Sequence, residues 1–177
     1  MNRRALALTN ALLVAVCVPA LPAAEPIPQL EPLRPLLGKT WRGVFPSSTP
    51  EKPVVDVSRF ELALNGRAVR NLHSINDGEY GGETLIVWDK ERQSLVYYYF
   101  TTAGFYTTGS FKVEDGALVS HEVVKGEEGG IAEVRATSRV LPDGRLHVKS
   151  EYLKEGSWTP GRDMHYVEAP EAEVRFR

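Results

Sequence analysis

The sequence predicts an all-β protein, a ten-stranded antiparallel up-and-down barrel with a short N-terminal closing helix. Three observations lead there. Turn signals recur at a regular beat from Asn65 to Ser157, the segments between them alternate with period two, and helical spacing is confined to one proline-bounded stretch.

The first 24 residues stand apart from that pattern. Arg3 and Arg4 form a positive start, Ala5 to Ala20 an apolar run, and Leu21-Pro22-Ala23-Ala24 a small-residue cleavage site, which together read as a secretory signal peptide. The run is short for a bilayer span of about 20 residues, and Asn10, Pro19 and Pro22 interrupt it, so no integral membrane span is expected in the mature chain. Residues 25–177 are then one barrel domain, secreted and periplasmic. Cys17, the only cysteine, falls inside the leader, which leaves no disulfide, no cysteine metal site and no thiol nucleophile. Cleavage also moves the formal charge from -2 to -4 by removing two arginines. With no basic stripe to neutralise phosphates, nucleic acid is not an expected partner.

In "PQLEPLRPLLG" Leu30, Leu33, Leu36 and Leu37 recur at steps of three and four between prolines, enough for a turn or two of α or 3₁₀ helix, with Gly38 as its stop. Strands follow over 40–45, 54–63, 67–75, 83–89, 94–101, 105–113, 117–124, 131–141, 145–154 and 162–168. Asn65-Gly66 is the sharpest turn between them, because both residues tolerate positive φ. Two late strands alternate cleanly. Ala132, Val134, Ala136, Ser138 and Val140 face inward on one, and Leu146, Val148, Ser150 and Tyr152 on the other. A sheet with one wet face and almost no helix to cover the dry one closes on itself. Ten strands make a barrel wider than the eight-stranded kind that can already hold one small ligand.

The middle of the chain, "QSLVYYYFTTAGFYTTGSF", has no charged residue and is rich in tyrosine and threonine. Buried tyrosine hydroxyls need partners, and aromatic bodies with hydroxyl tips suit a pocket for an amphipathic molecule better than a plain aliphatic core does. Alternation turns Phe105, Thr107, Gly109, Phe111 and Val113 inward, and with them Tyr97 and Tyr99. Because "LVYYYF" is apolar on both faces, its outer face calls for cover from a loop, the tail "PEAEVRFR" or a second subunit, so a homodimer is one expectation.

At "LEPLRPLLGKTWRGVF" the chain resembles the entry to calycin barrels: lipocalins, fatty-acid-binding proteins and above all nitrobindin-like and related bacterial secreted barrels. Leu36, Leu37, Gly38, Trp41, Arg42 and Gly43 carry the likeness, although two residues rather than one separate glycine from tryptophan. The resemblance implies binding of small apolar or amphipathic molecules inside the barrel, and haem binding as an alternative, with His165 at the corresponding late-strand position. It also implies that Arg162 stacks over Trp41 as a structural closure.

The residues themselves nominate no catalytic set. His73, His121, His147 and His165 show no paired ligand spacing, and no metal site is expected. Asp56, Glu61 and Asp163 are strand carboxylates that spacing does not pair. His73 is expected to point a donor into the cavity beside Arg70 or Asn71. The expected lining is therefore Arg70, His73, Tyr97, Tyr99, Phe105, Thr107, Phe111, Ser138, Ser150 and Tyr152, holding a small apolar or amphipathic ligand without a cofactor. A non-catalytic dimerisation module is the other expectation.

Overall fold

The computed structural model describes residues 24–124 and 128–177. Of the expected signal peptide at 1–24, all but Ala24, and with it Cys17, lies outside the described residues, as do the first three residues of the turn expected at 125–130. After a 3₁₀ helix at Pro28–Leu36 come β1 (Thr40–Val44), β2 (Val55–Ala63), β3 (Ala68–Ile75), β4 (Tyr80–Asp89), β5 (Ser94–Thr101), β6 (Tyr106–Glu114), β7 (Ala117–Val124), β8 (Ile131–Val140), β9 (Leu146–Lys154) and β10 (Ser157–Glu168). Each strand pairs antiparallel with the next. β1 also pairs with β10, Gly43 opposite Tyr166, and this closes the barrel.

The helix suits its sequence. Pro28, Pro32 and Pro35 have no amide hydrogens to donate, and a three-residue turn places Leu30, Leu33 and Leu36 on one face. That face is fully buried, and it plugs one end of the barrel together with Trp41, Val69, Ile86, Leu95 and Leu146. The result is an apolar floor. Gly66 fixes the approach of the chain that leads into the helix: its amide oxygen accepts from Ile27, its φ is +79°, and a Cβ there would collide with the Glu25 carbonyl.

Two expectations are corrected by the register, and one of three alternatives is set aside by the path of the tail. β10 begins at Ser157 instead of 162, because Glu155 and Gly156, both at positive φ, make a tight hairpin and the Pro160 region is accommodated as a bulge before Asp163. Ala132 is exposed, because pairing slips between Ile131 and Glu133. The tail does not cover the outer face of β5. Its Arg175 amide donates to Ser74 Oγ at 3.1 Å, and its Phe176 ring reaches Gly81, so it straps β3 and the start of β4 instead. Tyr98, Phe100 and Tyr106 stay 44%, 51% and 45% exposed on the outside.

Candidate functional site

Pairing across the strands decides what the barrel contains. Above the floor, the inward positions of successive strands bring together Asp56 (β2), His73 (β3), Tyr99 (β5), Thr107 (β6), Glu122 (β7), Ala136 (β8), Ser150 (β9) and Arg162 (β10). A polar belt thus crosses the interior.

Asp56 is its hub. Its Oδ2 accepts from the Tyr166 hydroxyl at 2.7 Å and lies 3.5 Å from Arg162 Nη1, while Oδ1 faces His73 Nδ1 at 3.1 Å. The other ring nitrogen, Nε2, lies 2.7 Å from the Tyr99 hydroxyl, so His73 bridges Asp56 and Tyr99. The Tyr99 and Tyr80 hydroxyls are 3.1 Å apart and extend the chain toward the open end. Burial pushes the Asp56 carboxyl up, but the hydrogen bond and charge of His73, the charge of Arg162 and the Tyr166 hydroxyl outweigh it and hold Asp56 below the usual carboxylate range.

Glu122 is treated differently. It accepts from the Tyr97 hydroxyl at 3.1 Å, and the Thr107 hydroxyl faces it without full hydrogen-bond geometry. Burial dominates here and raises the Glu122 pKa, against the opposing pull of Thr107, Tyr97 and the Arg162 charge. Burial likewise pushes the hydroxyls of Tyr97, Tyr99 and Tyr166 up, which keeps them as neutral donors. The sign for Glu122 follows from linkage. Above its ordinary value of 4.5 the unfolded chain gives up a proton that the folded chain still holds, so stability falls as pH rises toward the higher folded value. Glu122→Gln removes that loss, and denaturant titration at pH 7.5 is expected to find the variant more stable by about 1 kcal/mol. A loss of stability would show that the carboxylate is better paired than this geometry gives.

Four tyrosines are set into the wall by glycines on neighbouring strands. A Cβ on Gly43 would strike the Tyr166 ring, on Gly82 that of Tyr99, on Gly109 that of Tyr97, and on Gly161 that of Tyr152. Each ring occupies the place a side chain would have taken. The walls thereby carry these rings in the space that the glycines leave.

Space remains. The Arg162 guanidinium is enclosed by the barrel, yet 31% of its side chain is reached by solvent, and its Nε has no hydrogen-bond partner among the described residues. Val134, Ala136, Ser138 and Val148 face inward and are only half-buried. Solvent therefore reaches the small-residue inner wall of β8 and β9 above the floor. Ile75, Thr101, Val134 and Tyr152 are inward residues at the end of the barrel away from the floor.

Of the expected lining residues, His73, Tyr97, Tyr99, Thr107, Phe111, Ser138, Ser150 and Tyr152 face inward; Phe111 packs on Tyr97 at 4.8 Å and belongs to the floor. Phe105 sits half-buried in the β5–β6 turn. Arg70 is a correction. Three residues from His73 on a strand, it must face the other way, and it lies outside between Glu61 and Glu83. Arg162 is another, since it turns to Asp56 and Tyr166 in the lumen, while the cation over the Trp41 ring is Lys39 at 5.4 Å. His165 also faces out, stacked on His147 at 4.4 Å, with His147 held by Asp163 at 2.8 Å. No interior ligand can be made of it. Sequence reasoning missed Glu122, although Leu118, Ser120 and Glu122 share a face by simple alternation, and Tyr80 and Tyr166 were missed with it.

Among the described residues, no group of three or more His, Cys, Asp and Glu could hold a metal ion, and no helix is long and apolar enough to cross a membrane. The chain matches no protein-family model, and no curated protein matches it.

Proposed function

We propose that this barrel is a secreted, periplasmic carrier that holds a small amphipathic molecule in its lumen. Its head would rest on the Asp56–His73–Arg162–Glu122 belt, and its apolar part would point toward the rim near Ile75, Val134 and Tyr152. The observation that carries this is Arg162, a cation inside the barrel whose side chain is still 31% exposed and whose buried Nε has no hydrogen-bond partner among the described residues. A protein building only a core has no reason to leave such a group half-satisfied above a finished apolar floor. The likeness of the Leu36–Gly43 segment to calycin barrels supports the same reading.

Native mass spectrometry of protein purified from its own host tests it. A reproducible small-molecule adduct is expected. Ala136→Trp, which projects a large ring into the lumen from its small-residue wall, is expected to abolish the adduct while leaving the fold intact by circular dichroism. An adduct that survives in Ala136→Trp, or no adduct at all, would contradict the proposal.

The haem alternative loses support from the register. His165 could offer a ligand only on the outer wall, and His73, the inward histidine, has both ring nitrogens engaged. Dimerisation keeps one observation in its favour, the exposed ring pair of Phe100 and Tyr106, centroids 6.0 Å apart. Sedimentation at micromolar concentration decides between a dimer and a strict monomer.

A further inference from the structure

Charge decides which amphipathic molecules fit the lumen best. Resting on the carrier reading above, we propose that the bound head group is a cation, a single ammonium seated between Glu122 and the ring of Tyr99. The belt contains one fixed positive group, Arg162, against two carboxyls, Asp56 and Glu122, and Arg162 lies on Asp56 at 3.5 Å. The two carboxyls are not equivalent. Asp56 is satisfied, with a tyrosine hydroxyl, a histidine ring and a guanidinium already on it. Glu122 has the Tyr97 hydroxyl and the flanking Thr107, and no ion pair among the described residues.

An ammonium would supply the missing counter-charge to a buried carboxylate, the arrangement in which such a group is retained at least cost. An anionic head would do the reverse. It would put a third negative group beside Asp56 and Glu122, and Arg162 is already shared with Asp56.

The surrounding rings favour the same sign. Tyr99 lies over Gly82 and is half-buried, so its accessible surface faces the lumen, and it is close enough to feel the Glu122 charge. A cation over a tyrosine face in a partly desolvated site is attracted by the ring quadrupole, which an anion is not. The hydroxyl of Ser120, inward and half-buried on β7 two residues from Glu122, can accept from the ammonium hydrogens.

The test uses three probes of one chain length, dodecylammonium, dodecanol and dodecanoate, titrated calorimetrically into the full protein at neutral pH below their micelle concentrations. Dodecylammonium is expected to bind roughly tenfold more tightly than dodecanol, and dodecanoate most weakly. Glu122→Gln is expected to bring dodecylammonium down to the level at which dodecanol binds the same variant, removing the preference for the ammonium. Its melting temperature without ligand, expected to be no lower than that of the parent, excludes unfolding as the cause. Dodecanoate binding as tightly as dodecylammonium, or an ammonium preference that survives Glu122→Gln, overturns the assignment and leaves the carrier reading standing. Failure of all three probes to bind overturns both.

Discussion

Asp56→Ala is expected to destabilise the folded barrel by about 3 to 5 kcal/mol, the usual consequence of stripping one partner from a buried charge pair. The Asp56 side chain is only 4% exposed, and its removal leaves the Arg162 charge, the Tyr166 hydroxyl and His73 Nδ1 without their shared acceptor. The double variant Asp56→Ala/Arg162→Met is expected to regain much of the loss, because the orphaned charge goes with its partner. Chemical denaturation of the single and double variants measures both. Equal loss in the two would mean that the cost lies in packing and not in the stranded cation. The same carboxylate sets an acid limit. Because Asp56 is held below its ordinary 3.8, its contribution is complete above that value and is lost as pH falls through the lower folded one.

Gly109→Val is expected to cost about 3 kcal/mol and to lower the melting temperature by roughly 6 to 12 °C. A Cβ there would lie 2.3 Å from the Tyr97 ring and 2.5 Å from the His121 carbonyl, and neither can retreat without opening the β5–β6–β7 wall. Gly116→Ala is the control. It sits in a hairpin turn at φ +73° with nothing within 4 Å, so only the left-handed backbone penalty of about 1 kcal/mol applies. If both variants melt alike, the tyrosine-over-glycine packing is not what shapes the wall.

The fold was legible in the sequence because its strongest signals are local. Period-two alternation in Val134 to Val140 and positive-φ turn residues such as Asp115-Gly116 report strands and their ends without knowledge of partners. Period-three leucines among prolines announced the 3₁₀ plug in the same way. The site was less legible, because the face a residue takes in a mixed strand is settled by its neighbours. In "RNLHSIN" polar groups fall on both faces, and only pairing of Ser58 with His73 and Glu61 with Arg70 shows which go inside. Asp56 is one of three strand carboxylates that spacing alone does not pair, and Glu122 has no signal of its own until the register closes the barrel around both. Arg162 was assigned to Trp41 by resemblance, and the bulge after Pro160 lies just before it on its way to Asp56.

The proposed carrier role requires an occupied barrel interior, and a crystal structure of the protein purified from its native host tests that most directly. Elongated density above the apolar floor, with its polar end within hydrogen-bonding distance of Glu122 or Arg162, is the expected result. Side chains from β7 to β9 meeting those of β3 to β5 across the centre, with no density between them but isolated waters, would contradict it.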